Sequence, residues 1–198
     1  MPNKSNLYPC SDNASSRSDM AAKIIHHLQA GYPGLYLVSH EDQRVEGELN
    51  AIAETIKYNL CFWSVITGLV ETKTKKVHQA QDPLEALQTI ESLPEKSLIL
   101  LKDFHLFLAD ANPILICKMK EVLLQAKTQS KTLVVLGCRL CLPPELEREI
   151  TVLDFALPNK TQLGQVLDGI VTSARLKPIQ SEDREKILSG NAARLMKL

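Results

Sequence analysis

The sequence predicts an α/β fold of three layers, a five-stranded and mostly parallel sheet between helices, with further helices at the C-terminus. Three observations carry that reading. Five short apolar runs, GLYLVS, CFWSVITG, SLILLK, TLVVLGC and ITVLDF, alternate with segments whose apolar residues recur at helical spacing. Several of the runs are apolar at consecutive positions, as strands buried on both faces are. The connections are long enough for the crossover helix that parallel neighbours require.

The elements follow in order. Residues 1–18 are rich in Ser, Asn and Asp, offer little apolar surface to offset the entropy of ordering, and read as a loose arm. Asp19 suits an N-cap for a helix near 20–29, with Met20, Ile24, Ile25 and Leu28 on one face and Gly31 and Pro33 past its end. The first strand covers 34–39 and leads into a helix marked by Val45, Leu49, Ile52, Ala53 and Ile56. The second strand, 61–68, is aromatic and β-branched, and Gly68 closes it. After it, ETKTKKVHQAQ with Lys73, Lys75 and Lys76 reads as a solvated loop. Asp82 and Pro83 open a helix through Leu84, Leu87 and Ile90, and Asn112 and Pro113 repeat the device. Between the two lies the third strand, about 97–102, and the fourth follows at 132–138. A short helix in PPELERE precedes a fifth strand near 150–155, and beyond Pro158 the chain reads as helical. The expected domains are an arm over 1–18, an α/β core over 19–158 and a helical appendage over 159–198.

Composition narrows the function. Lys and Arg total 23, as do Asp and Glu, which removes the basic excess of a general nucleic-acid or acidic-membrane binder. Neither nucleic acid nor membrane is expected as a partner. The polar N-terminus lacks an apolar signal core, and five cysteines at 10, 61, 117, 138 and 141 suit a reducing compartment, so a cytoplasmic protein is expected.

Ligands of an open parallel sheet gather beyond the carboxyl ends of its strands. The first strand delivers Ser39, His40, Glu41, Asp42 and Arg44 there, the third Lys102, Asp103, Phe104 and His105, and the fourth Gly137, Cys138 and Arg139. Four chemistries compete for these residues. LILLKD ends as a Mg²⁺-orienting strand does, yet GxxxxGK[ST] is absent, and SHEDQRVEG sets acids where a phosphate cradle needs glycines and a lysine. ATP hydrolysis by this chain is therefore not expected. A phosphoacceptor receiver accounts for Glu41, Asp42 and Asp103, but needs a hydroxyl residue after the fourth strand and a lysine after the fifth; Gly137-Cys138 and Asp154-Phe155 stand there instead. A metal or redox site is suggested by His40, Glu41, Asp103, His105 and the CxxC of Cys138 and Cys141, although structural zinc wants four ligands. The bland reading of that CxxC is a pair of partly buried thiols. By the fourth account Glu41, Asp42 and Arg44 are helix-start charges paired with neighbouring loops, and Trp63 belongs to the core.

Taken together, YPGLYLVSHEDQR, CFWSVITGL, DPLEAL, LILLKDFHLFLAD and KTLVVLGCRLCLPPELEREITVLDFALP resemble one family. Over about residues 20–175 they are similar to the N-terminal half of a group of AAA-type ATPases found in cyanobacteria and plastids. That half resembles an AAA core without its own P-loop, ahead of a complete ATPase module. The resemblance implies a sheet of AAA/P-loop type with strand order 5-1-4-3-2. It carries over no catalytic residues; the matching positions are Glu41, Arg44, Trp63 and Asp103. The expected function is a non-catalytic, AAA-like interaction or regulatory domain, binding no cofactor and partnered by itself or by complete ATPase relatives. One alternative is a divergent nucleotide- or metal-binding enzyme using Glu41, Asp103 and His105. Another is a remnant half of such an ATPase. The candidate cluster is Glu41, Asp42, Arg44, Asp103, His105 and Arg139.

Overall fold

The computed structural model describes residues 16–110, 112–155, 164, 167–168, 171 and 180–187. The helices are α1 (Ser16–Gln29), α2 (Asp42–Ile56), α3 (Pro83–Glu91), α4 (His105–Ala109), α5 (Pro113–Thr128) and α6 (Ser181–Glu185). The strands are β1 (Gly34–Val38), β2 (Asn59–Ser64), β3 (Gly68–Glu71), β4 (Val77–His78), β5 (Ser97–Lys102), β6 (Thr132–Gly137) and β7 (Ile150–Asp154). The chain divides into two compact units, of which the larger is Ala21–Phe155 and contains the whole sheet. In the second unit Arg184 holds Asp168 through two hydrogen bonds, Nη2 donating at 2.8 Å. Most of the helical appendage expected over 159–198, and residues 1–15 of the expected arm, lie outside the described residues.

The sheet has seven strands in the order β4-β3-β2-β5-β6-β1-β7. Five of them, β2, β5, β6, β1 and β7, run parallel. They are the five expected strands, and their order is the one implied by the family resemblance. The expected count of five is corrected to seven by an antiparallel extension, β2 with β3 and β3 with β4. The run read as one strand over 61–68 is a strand and a turn. Ser64 Oγ lies 2.7 Å from Thr67 Oγ1 and accepts from the Thr67 N–H, and Gly68 then takes φ +70°. A side chain there meets backbone, since a Cβ would fall 2.4 Å from the His78 carbonyl oxygen. Gly68 thus begins a strand instead of ending one. The polar stretch read as a loop holds β4, which His78 fastens to Glu71 at 2.9 Å. That ring holds the Glu71 carboxyl below the usual carboxylate range, helped by the Thr74 hydroxyl.

Helix starts follow the sequence closely. Asp82 Oδ1 accepts from the Leu84 and Glu85 N–H groups at 2.8 and 3.2 Å, and Asn112 Oδ1 from Ile114 N–H at 3.0 Å. Each satisfies donors that the first turn leaves open. α1 instead begins at Ser16, ahead of the expected Asp19 cap. α4 has no counterpart among the expected elements, because five residues are too few for a periodic pattern.

Strand β6 is buried along its whole length and β5 in all but its last residue, so both faces of the sheet are covered. Trp63, Phe104 and Phe107 meet edge-on in the core with Leu87, Ile90, Leu101 and Met119. Trp63 is a core residue, as expected, and its Nε1 donates to the Ala80 carbonyl at 2.7 Å. Each fully buried Leu or Ile here contributes about 1.5–3 kcal/mol relative to exposure. Lys131 is buried as well. Its Nζ donates to the Ile90 and Glu91 carbonyls at the end of α3, and burial pushes its amine below the usual lysine value.

Candidate functional site

The carboxyl ends of the parallel strands collect the residues singled out by the sequence, but in two separate groups. The first surrounds the start of α2. Only Ser39, His40 and Glu41 separate β1 from that helix, and the Glu41 N–H is held by Ser39 Oγ at 3.0 Å. Three residues cannot wrap a phosphate with converging N–H groups as a Gly-rich loop does. The N-terminus of α2 faces side-chain anions instead: Glu41 at the cap position and Asp42 in the first turn. Arg44 Nη2 lies 2.6 Å from Glu41 Oε2, and its guanidinium sits 4.5 Å over the Phe155 ring beyond β7. These partly exposed contacts are worth about 0.5–1 kcal/mol each. His40 is exposed and stands apart.

The second group lies between β5 and β6. Asp103 leaves β5 at φ +55°, with its N–H on the Leu136 carbonyl and its side chain in solvent. Two residues on, His105 is buried with 2% exposure. Its ring lies against Gly137, where a Cβ would come within 2.6 Å of Nδ1 and 3.0 Å of the Tyr36 hydroxyl. Its Nε2 reaches Cys138 Sγ at 3.8 Å. The Tyr36 hydroxyl donates to the Arg139 carbonyl at 2.6 Å and accepts from the Cys141 N–H at 3.2 Å. Burial raises the pKa of that phenol, partly opposed by the Cys141 hydrogen bond.

Arg139 itself is exposed and lines a groove of about 690 Å³ between the α4–α5 segment and the chain after β6, together with Cys117, Cys141, Leu142 and Glu145. Leu106, Ile114 and Leu140, on the segments that form this region, are 51%, 68% and 54% exposed. Glu41, Asp103 and His105 do not converge: among the described residues no three His, Cys, Asp or Glu side chains are placed to hold a metal ion. The expectation of two partly buried thiols also changes, since Cys138 is exposed and Cys141 half-buried. Tyr36 escaped the sequence reading, while Gly137 and Phe155 were named only as strand ends and not for their contacts with His105 and Arg44.

With this geometry in view, comparison with known proteins is direct. A model of the SpoVK-like AAA ATPase N-terminal domain matches residues 20–155. The chain belongs to that family. It is 33% identical over 157 residues to the uncharacterized AAA domain-containing protein ycf46 of Trieres chinensis, covering 78% of this chain and 31% of that protein. The counterpart from Guillardia theta is 32% identical over 143 residues, covering 71% of this chain and 28% of the relative. The chain thus spans less than a third of the length of these relatives. Among solved structures, the FIGL-1 AAA domain in complex with ADP superposes with a TM-score of 0.62 at 14% identity, covering 93% of this chain and 68% of that one. At that identity the likeness is one of fold. Among the described residues no helix is long and apolar enough to cross a membrane.

Proposed function

We propose that this N-terminal AAA-family domain is a non-catalytic interaction or regulatory module that associates with itself or with complete ATPase relatives. One observation carries the reading. Where an ATPase of this fold would cradle phosphate, α2 follows β1 after three residues and presents Glu41, tied to Arg44. The carboxylates of Glu41 and Asp42 repel a polyphosphate at the helix end that would otherwise attract it. The exposed Leu106, Ile114 and Leu140 and the groove beside Arg139 support a protein partner, because exposed apolar side chains beside a groove favour association. Glu41, Asp42, Arg44, Asp103, His105 and Arg139 then act as surface and support of the contact edge, with no part in nucleotide hydrolysis.

Two measurements test this. Calorimetric titration with Mg-ATP should give no saturable heat; a binding isotherm that vanishes in Asp103→Ala would defeat the reading. Sedimentation of the chain alone and mixed with a complete ATPase of the matched family should show self-association or a complex, and a persistent monomer in both cells counts against it.

A further inference from the structure

The four cysteines described in the chain differ in ways that matter chemically. Cys61 is buried in β2, and desolvation with the nearby Glu71 pushes its thiol up to about 12, which makes it inert at neutral pH. Cys117 is exposed on α5. Cys138 is exposed too, but it is the only hydrogen-bond contact recorded for the buried His105 side chain among the described residues, Nε2 to Sγ at 3.8 Å. The other ring nitrogen, Nδ1, is buried without a partner. An imidazole nitrogen within hydrogen-bond reach of a thiol is placed to take the thiol proton as sulfur reacts. Cys141 follows three residues later, its N–H held by the same Tyr36 hydroxyl that holds the Arg139 carbonyl. That one hydroxyl ties the backbone on both sides of Leu140, between the two cysteines.

We propose that Cys138 is a peroxide-reactive thiol assisted by His105, with Cys141 as the resolving cysteine of an intramolecular disulfide. The Cys138 sulfur attacks one oxygen of a hydroperoxide; the S–O bond forms as the O–O bond breaks. The thiol proton passes through His105 Nε2 to the leaving oxygen, which departs as water or alcohol. The Cys141 sulfur then attacks the Cys138 sulfenic acid, forming S–S and breaking S–O, and its proton leaves with the hydroxide as water. Two thiols are oxidised and one peroxide is reduced. Because Arg139 and Cys141 line the groove, the disulfide reshapes one of its walls.

The full reduced chain is treated with hydrogen peroxide over a time course, alkylated and digested with trypsin. Cleavage after Lys131, Arg139 and Arg148 separates TLVVLGCR from LCLPPELER, so the disulfide appears as these two peptides linked. The expected result is that linked pair, with Cys138 consumed about 10-fold or more faster than Cys117, a modest general-base effect. In Cys141→Ser a sulfenic acid accumulates at Cys138 and is trapped by dimedone. His105→Gln slows Cys138 to the rate of Cys117. Should that variant not fold, the ratio of the two thiols within the unaltered chain still decides. Equal consumption of Cys138 and Cys117, or oxidised Cys138 without linked peptides, overturns the proposal.

Discussion

Replacing two glycines by alanine should move stability in opposite directions, for reasons visible around each. At Gly137 an added Cβ falls 2.6 Å from His105 Nδ1, 2.8 Å from its Cγ and 3.0 Å from the Tyr36 hydroxyl. Neither neighbour yields easily: His105 is buried, and Tyr36 is held by two hydrogen bonds. Overpacking of this kind costs about 1–3 kcal/mol. The smaller unfolded-state entropy of alanine returns about 0.4–1 kcal/mol, leaving Gly137→Ala about 0–2.6 kcal/mol less stable, about 1.3 kcal/mol at mid-range. Gly47 sits mid-way along α2, exposed, with nothing within 4 Å of an added Cβ. There Gly47→Ala should stabilise by about 0.5–1 kcal/mol through helix propensity. Urea unfolding followed by the fluorescence of Trp63, the single tryptophan and fully buried, reads both. A Gly137→Ala variant more stable than the parent would refute the packing of His105 against β6, and with it the placement of the imidazole beside Cys138.

Other perturbations follow from the same geometry. Asp82→Ala removes the acceptor for two N–H groups at the start of α3 and should cost about 1 kcal/mol in urea unfolding. Trp63→Phe leaves the Ala80 carbonyl without its donor and opens space beside Phe104, for a loss of about 2–3 kcal/mol followed by circular dichroism. Acid titration isolates Glu71. Its folded pKa lies below the ordinary 4.5, so the unfolded chain binds the extra proton as pH falls. The stabilisation from Glu71 is therefore present above that value and disappears as pH drops through the folded pKa. Glu71→Gln should flatten this part of the stability curve, and an unchanged acid slope would remove His78 and Thr74 as the cause.

Local chemistry accounts for what was legible. The Asp82-Pro83 and Asn112-Pro113 starts are read from adjacent residues, because a cap side chain bonds N–H groups two or three positions on. The consecutive apolar residues of SLILLK and TLVVLG announce strands with no solvent face. The hairpin extension was not legible, since β3 pairs only four residues with β2 and β4 only two with β3, the first turn carries the apolar Val65 and Ile66 so that it reads as strand, and the second, residues 72–76, is polar and reads as loop. Of the candidate cluster, Glu41 and Arg44 lie three residues apart on one helical turn, and their pairing is a local event. The cluster as a single site was not, because its members stand at the ends of different strands.

By itself the sequence determined an alternating parallel α/β core, the starts of α3 and α5 and the lack of a phosphate loop, all set by residues near one another in the chain. Tertiary structure alone decided that His105 meets Cys138 across 33 positions and that Tyr36 grips the chain at Arg139 across 103. Those meetings depend on β1, β5 and β6 lying side by side, an order fixed by how the crossovers pack on the sheet and not by any residue's neighbours.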